Sequence, residues 1–314
     1  MIKPKILLAT FAGIPSSFSF FCPDPGLAAL AAVLRKHFYE LSILDFNSLQ
    51  TIDECMSETK SSCVNEFVRQ GVSKQKENVL AAQDDAKWAY LGAVEKYMHR
   101  CMREQVLAKN CDLLCVKPWL GHSLAIFLRI CRALKTEFPK LKIAFGGPSI
   151  SSIGSEILQH LHSADFVCMG DGEEAIVSIV RYLQGILSLD PITNTWFIDE
   201  NKEYCGNGIH RNITISSAPD PLYDDQIDRS LIDGKLPMFV IEDSRGCFFS
   251  CPFCAHPGIG DKQVRPAEPE RVFETMMSLS ARFRTHAFRF SGSCPSPSFL
   301  NGLSKAVTKI GEKF

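Results

Sequence analysis

The chain has 314 residues, of which 46% are hydrophobic and 22% are charged, and its formal net charge is −1. This composition is typical of globular proteins, and the length suggests two domains. No basic stripe favours a nucleic-acid partner. The apolar run near the N-terminus is too short for a membrane span and lacks the cleavage site of a signal peptide, so no membrane partner is expected.

Predicted strands and helices alternate in the first part of the sequence. Five apolar runs predict buried strands, at 3–10, 40–46, 111–118, 141–149 and the start of 164–185. The polar, helix-favouring stretch 51–109 predicts two or three helices inserted between them. This alternation predicts an α/β fold at 1–190, a doubly wound, Rossmann-like parallel sheet with helices on both faces.

The rest of the chain is predicted to hold a linker and a second domain. Residues 191–236 contain a small hairpin around Asn201 and a segment rich in Pro and Asp. The apolar run 237–243 predicts a new strand. A helix, a strand and a helix are predicted after it, at 269–284, 287–292 and 297–312. Residues 237–314 are therefore predicted to form a second β/α domain.

The 13 cysteines are an odd number and are spread over the whole chain. A secreted disulfide scaffold would be shorter and more regular, so reduced thiols in a cytoplasmic protein are expected. Cys115, Cys131 and Cys168 lie in apolar runs and are interpreted as small core residues.

Three other cysteines, Cys247, Cys251 and Cys254, have the spacing C-x3-C-x2-C and directly follow the strand predicted at 237–243. Three thiols in one loop indicate metal ligands. A structural zinc site needs four ligands, and the fourth could be His256 or Cys294. Iron–sulfur clusters are normally held by four cysteines, so three would leave one iron open to bind another molecule, as a catalytic cluster requires.

The run "SRGCFFSCPFC" (244–254), with an aromatic residue before its last cysteine, resembles the radical S-adenosylmethionine (SAM) superfamily. The resemblance implies a [4Fe–4S] cluster on the three cysteines, SAM bound and cleaved at the open iron, and a full or partial (β/α) barrel. Arg265 resembles an arginine that is common after the cluster loop, and a solvated surface arginine is the alternative. The resemblance also implies four SAM contacts, at Phe253, Ser291, Gly292 and Ser293. An ordinary β/α turn is the alternative for residues 291–293.

Four motifs occur in the order found in radical SAM enzymes that carry a cobalamin-binding domain. They are "GGP" (146–148), "GDGE" (170–173), "PDPLYDD" (219–225) and "SRGC" (244–247). The resemblance covers nearly the whole chain and implies cobalamin contacts at Gly146, Gly147, Pro148, Gly170, Asp171, Gly172 and Glu173. From the residues alone, such glycine turns also serve as tight connections and helix caps.

The sequence departs from this family pattern in two ways. The turn after the first strand lacks the D-x-H-x-x-G motif, and His122 follows the third strand. Cobalamin is therefore expected to bind with no protein histidine on cobalt, and a domain of this architecture that holds no cobalamin is the alternative. The chain also ends 60 residues after Cys254, since 314 − 254 = 60, which leaves room for two β/α units. A C-terminally truncated barrel, or one completed by another chain, is therefore expected.

The resemblance implies a C-methyltransferase that, with cobalamin, methylates an unactivated carbon of a peptide or natural-product substrate. It also implies an electron donor such as ferredoxin or flavodoxin. Three alternatives stay open: a rearrangement or cyclisation with the same cofactors, a catalytically inactive cofactor-binding module, and a zinc-stabilised binding protein. No residue pattern identifies the substrate.

Overall fold

The structure is a computed structural model that describes residues 3–14, 18–59, 80–188, 192, 194–198, 203–206, 215, 218–223, 238–254, 263–292 and 295–311. Four residues named above, Asn201, His256, Ser293 and Cys294, lie outside these ranges. Among the described residues, no helix is both long enough and apolar enough to cross a membrane.

A seven-stranded sheet organises the first part of the chain. Its strands are β1 (Lys5–Phe11), β2 (Glu40–Asp45), β3 (Leu113–Pro118), β4 (Lys142–Phe145), β5 (Phe166–Cys168), β6 (Thr195–Ile198) and β7 (Tyr204–Gly206). They lie in the order β2-β1-β3-β4-β5-β6-β7, and the first five are parallel. The strand order reverses between β1 and β3, which is where doubly wound sheets bind ligands. The predicted α/β fold class is confirmed.

Helices cover both faces of this sheet because successive side chains of a strand point to opposite sides. Along β1, Leu7, Ala9 and Phe11 pack into one apolar cluster. Ile6 and Leu8 pack into a second cluster on the other face. The first cluster is closed by α2 (Leu49–Thr59), α3 (Leu80–Lys109), α4 (His122–Glu137) and α5 (Pro148–Ile153), and the second by α1 (Pro25–Lys36) and α6 (Glu173–Leu183).

Helices α2 and α3 occupy the described part of the predicted insert, and residues 60–79 lie outside it. Helix α3 is 30 residues long, and its side chains Tyr90, Val94 and Met98 are fully buried in the first cluster. The insert therefore supplies one wall of the core instead of standing apart from the sheet.

The predicted hairpin adds two strands to the same sheet. Strand β6 pairs antiparallel with β5, and β7 pairs antiparallel with β6. The sheet therefore runs past residue 190 to Gly206. We call the described residues from 3 to 206 the sheet unit.

A second, smaller unit spans the described residues from 238 to 311, and we call it the β8–β11 unit. Strands β8 (Met238–Ile241) and β11 (Ala287–Phe290) pair in parallel, and helices α7 (Pro269–Phe283) and α8 (Pro297–Gly311) cover one of their faces. The order strand, helix, strand and helix agrees with the prediction for 237–312, and a partial barrel stays a prediction. A ribbon of two short antiparallel strands, β9 (Ser244–Arg245) and β10 (Arg265–Pro266), was not predicted.

Residues 218–223 join the two units. The hydroxyl of buried Tyr223 donates to the carbonyl of Val240 at 2.9 Å, and the Leu222 N–H donates to the carbonyl of Ala28 at 3.0 Å. Ala28, on α1, also packs into the apolar cluster of the β8–β11 unit. Residues 222 and 223 therefore link helix α1 to strand β8.

Candidate functional site

A cavity of about 1060 Å³ lies between the sheet unit and the β8–β11 unit. Its walls come from the carboxyl ends of β3, β4 and β5 on one side and from β8 and β11 on the other. Parallel strands present their ligand sites at these ends, and the volume suits a large organic cofactor.

The turn Gly146–Gly147–Pro148 connects β4 to α5 and lines the cavity. Gly147 has φ 99° and ψ 174°, a region that is essentially restricted to glycine. A Cβ atom there would lie 2.7 Å from Cγ of Lys117. The turn therefore requires glycine at 147, both for its backbone and for the room that the Lys117 side chain takes.

The turn from Gly170 to Glu173 connects β5 to α6 and also lines the cavity. The Gly170 N–H donates to Oγ of Ser151 on α5 at 2.9 Å, which ties the two glycine turns together. The structure thus brings all seven predicted cobalamin contacts to one cavity. However, the carboxylates of Asp171 and Glu173 form ion pairs with arginines of the β8–β11 unit.

An acidic and basic network at the cavity wall was missed by the sequence reasoning. Asp24 accepts from the N–H of Leu27 at 3.0 Å and so caps α1. Both of its carboxylate oxygens lie 2.7 Å from Nζ of Lys117, and its own N–H donates to Asp45 at 2.9 Å. Asp before Pro-Gly signals a helix cap, but nothing local indicates the lysine of β3.

Burial and the neighbouring Asp24 carboxylate raise the pKa of Asp45 to about 7. The folded chain therefore holds a proton that the unfolded chain releases near pH 4, and the free energy of unfolding should fall as pH rises from there to about 7, by up to about 1.4 kcal/mol per pH unit. When the free energy of unfolding is measured with urea at several pH values in this range, it should change less with pH in Asp45→Asn than in wild type. An equal pH dependence in the two proteins would contradict the raised pKa of Asp45.

The three loop cysteines follow β9, and Cys254 lines the cavity. The Cys254 N–H donates to the carbonyl of Cys251 at 3.1 Å, and all three thiols are free. In the described ranges no group of three His, Cys, Asp or Glu side chains is close enough to hold a metal ion. The three cysteines of the loop stay candidate cluster ligands.

The chemistry of these thiols fits an iron–sulfur cluster, since thiolates are its normal ligands. Cys254 is exposed and Cys247 and Cys251 are partly exposed, so they are accessible. By contrast, Cys115 and Cys131 are buried core residues, as predicted, and burial raises the pKa of both thiols. Cys168, also predicted as a core residue, is only partly buried and lines the cavity. The loop thiols are therefore the more accessible donors.

Two of the predicted SAM contacts line the cavity, and one does not. Ser291 and Gly292 face it from the end of β11, whereas Phe253 is 90% exposed and is not among the residues that line it. The Gly292 N–H donates to Oδ1 of buried Asp243 at 2.6 Å, and a Cβ atom at 292 would lie 2.5 Å from both carboxylate oxygens. Glycine is therefore required at 292, because the turn is bonded closely to the end of β8.

Arg265 is not a solvated surface residue. Its side chain is 17% exposed, and its Nη1 lies 2.6 Å from Oδ2 of Asp171 on the sheet unit. The surface alternative considered for Arg265 is therefore wrong, and this residue joins the two units at the cavity wall.

Residues 94–180 match the family model of the B12 binding domain. This range contains both glycine turns that line the cavity. The predicted cobalamin-binding type of domain is supported by this match.

Two solved enzymes share the fold. One is OxsB, a cobalamin-dependent S-adenosylmethionine radical enzyme solved with aqua-cobalamin and S-adenosylmethionine bound. It aligns with a TM-score of 0.63 and 16% sequence identity, and the alignment covers 98% of this chain and 37% of OxsB. The other is TsrM from Kitasatospora setae, a radical S-adenosylmethionine methyltransferase solved with tryptophan substrate and a SAM analog bound. It aligns with a TM-score of 0.64 and 13% sequence identity, and the alignment covers 99% of this chain and 52% of TsrM.

In sequence, the chain is similar to an uncharacterized methyltransferase of Pyrococcus horikoshii. The two are 28% identical over 162 residues, which cover 47% of this chain and 32% of the relative. The chain thus aligns with about a third of this relative and of OxsB, and with about half of TsrM.

Proposed function

We propose that this chain carries the cobalamin, SAM and [4Fe–4S] sites of a radical SAM methyltransferase that acts on an unactivated carbon of a peptide or natural product. One observation carries the proposal. A single cavity is lined by both glycine turns of the part that matches B12 binding domains and by Cys254, Ser291 and Gly292 of the β8–β11 unit. Two cofactor sites on different units would therefore open into the same space.

When bound, the cluster with SAM supplies hydrogen-atom abstraction, and cobalamin supplies the methyl group. The chain's own residues hold and orient these groups. Cys247, Cys251 and Cys254 would ligate the cluster, and the turn at Ser291 and Gly292, fixed by Asp243, would offer backbone groups to SAM.

On the opposite wall, the glycines at 146, 147, 170 and 172 let a bulky corrin ring approach the main chain, because they carry no side chain. The Lys117–Asp24 pair beside them presents polar atoms to the rim of such a ring. Contact between the sheet unit and the β8–β11 unit would limit the entry of water to a reactive radical.

Arg289 is suited to bind an anionic group in the cavity. It lies on β11 between Phe288 and Phe290, which pack into the core of their unit, so strand alternation points Arg289 to the cavity. Lys117, Arg245 and Arg265 also line the cavity, and each pairs with a carboxylate. Among the described residues, Arg289 is the lining cation that forms no ion pair.

We expect Arg289 to bind the carboxylate of SAM. Substituting Arg289→Gln should raise the Kd of SAM by about tenfold or more in equilibrium dialysis with reconstituted protein, because a charge-assisted hydrogen bond is lost. Arg289→Lys should recover part of the affinity. Arg132→Gln, an exposed change on α4, is the control that should leave the affinity unchanged. Equal affinity in Arg289→Gln and wild type would contradict this role.

The proposal is tested by anaerobic reconstitution with iron and sulfide, followed by EPR of the reduced protein with and without SAM. A [4Fe–4S]⁺ signal that changes when SAM is added is expected. Separately, hydroxocobalamin should be retained on gel filtration. Protein that takes up neither iron nor cobalamin would refute the proposal.

The alternatives give different results in the same preparation. An inactive cofactor-binding module would bind both cofactors and release no 5′-deoxyadenosine from SAM. A zinc-stabilised protein would be colourless and contain zinc. A rearrangement or cyclisation enzyme would cleave SAM with no methyl group in the product. A ferredoxin or flavodoxin as electron donor stays a prediction, as does a cytoplasmic location.

A further inference from the structure

Arg245, the arginine of the SRGC motif, contacts the sheet unit directly. Its Nη2 lies 2.5 Å from Oε1 of Glu173 and its Nη1 lies 3.1 Å from Oε2 of the same carboxylate. Nη1 is also 3.2 Å from Oδ1 of Asp171. Its Nε and Nη2 bind both oxygens of Glu242 at the end of β8, at 2.6 and 2.9 Å. The guanidinium therefore forms two bidentate pairs, one within its own unit and one across the cavity wall.

These groups are largely removed from water. The side chains of Arg245, Glu173 and Asp171 are 16%, 6% and 10% exposed. An arginine left without carboxylates at such burial would be strongly unfavourable, and so would a carboxylate left without its arginine. The oxygens of Asp171 and Glu173 are therefore committed to Arg245 and Arg265, and they are poor candidates for contacts with a neutral amide side chain of cobalamin.

Arg245 and Glu173 each lie next to a segment that lines or borders the candidate site. Arg245 is two residues before Cys247, and Glu173 is the residue that follows the glycine turn at 170–172. A pair separated by 72 residues in sequence thus connects the loop of candidate cluster ligands to a turn that lines the candidate cobalamin cavity. Displacement of one segment must strain or break the pair that holds the other.

We infer that Arg245 is a positioning residue that couples the cluster loop to the glycine turn at 170–172, with Glu173 and Asp171 as its partners instead of contacts of cobalamin. The importance of this coupling for catalysis rests on the proposed function, but the coupling itself does not. Because coupling between two sites is reciprocal, a change in either segment should be felt by the other.

The coupling can be measured in the whole chain without any cofactor. Hydrogen–deuterium exchange with mass spectrometry should show faster exchange of peptides covering 170–174 in Arg245→Gln. It should show faster exchange of peptides covering 244–254 in Glu173→Gln. An increase of about tenfold or more is expected in each, since each variant leaves a buried charge without its partner.

A matched arginine–glutamate pair provides the control. Arg129 Nη2 and Glu95 Oε2 are 2.6 Å apart, but Arg129 is 56% exposed and the pair joins helices of one unit. Arg129→Gln should leave exchange unchanged in both 170–174 and 244–254. Faster exchange confined to the mutated segment in Arg245→Gln and Glu173→Gln would overturn the inference, because each residue would then stabilise only its own loop.

Binding of hydroxocobalamin separates positioning from direct contact. If Glu173 acts through Arg245, then Arg245→Gln and Glu173→Gln should each raise the Kd by about tenfold, and the double variant should be no worse than either. Arg245→Lys, which keeps the charge but not the fork, should fall between Arg245→Gln and wild type. Additive losses would mean that Glu173 contacts the cofactor itself, and would overturn the assignment.

Failure of the proposed function and failure of the coupling by Arg245 would give different results. Wild-type protein that binds no hydroxocobalamin would refute the proposed function, while the exchange experiment would still decide whether Arg245 couples the two segments. Wild-type protein that binds hydroxocobalamin, with no reciprocal change in exchange, would refute the coupling and leave the proposed function standing.

Discussion

Replacing Cys251 with alanine is expected to abolish the EPR signal of the reduced, reconstituted protein and its response to SAM. A [4Fe–4S] cluster with an open iron needs three thiolate ligands, and the loop supplies three cysteines in the described ranges. With two ligands left, iron content should fall from about four per chain to less than about one. Cys247→Ala and Cys254→Ala should behave in the same way, as measured by iron and sulfide analysis after desalting.

Cys131→Ala is the matched control for these variants. Cys131 is fully buried in the first cluster of the sheet unit, far in sequence from the loop. Its loss should lower the free energy of unfolding by about 1 kcal/mol through a small cavity and leave the iron content unchanged. Full iron content in Cys251→Ala would contradict ligation by this loop. Zinc in place of iron in wild-type protein would favour the structural zinc alternative.

The sheet unit could be predicted because its signal is local. Strands β1 and β3 are continuous apolar runs, as buried parallel strands require, and each is followed by a segment with helical periodicity. The sequence did not indicate that the insert forms part of the core. Helix α3 is 30 residues long and carries charges throughout, and its buried face becomes evident only when it packs on the sheet.

The charged contacts around the cavity could not be predicted, because they join distant segments. Asp24 and Lys117 are 93 residues apart, and Arg245 and Glu173 are 72 residues apart. A local pattern shows that each residue is charged but not which partner it meets. Strands β9 and β10 are two residues long, too short for periodicity to reveal, yet they place Arg245 and Arg265 against the sheet unit.

In the candidate site, too, the local motifs could be predicted and the contacts between distant segments could not. The cysteine loop and both glycine turns could be predicted because the spacing of the cysteines and the positions of the glycines are visible in the sequence. The sequence also assigned Asp171 and Glu173 to cobalamin because they occupy the same motif. Their side chains turn to arginines of the other unit, and that direction depends on how the two units pack.

Gly147→Ala is expected to lower both the stability of the protein and its affinity for cobalamin. The backbone at 147 lies in a region restricted to glycine, and the added methyl group would lie 2.7 Å from Cγ of Lys117. Lys117 would have to move, and its pair with Asp24 at the cavity wall would be disturbed. We expect a loss of about 1–3 kcal/mol in unfolding free energy and a rise of about tenfold or more in the Kd of hydroxocobalamin.

Gly154→Ala separates these two effects. Gly154 has φ 72° and ψ −157°, so its backbone lies in the same glycine-restricted region, but a Cβ atom there would meet no atom within 4 Å. Its unfolding free energy should fall by a similar amount while the Kd of hydroxocobalamin stays at the wild-type value. If both variants lost affinity equally, general destabilisation would explain the effect. If only Gly147→Ala lost affinity, the wall formed by Gly147, Lys117 and Asp24 would be part of the cobalamin site.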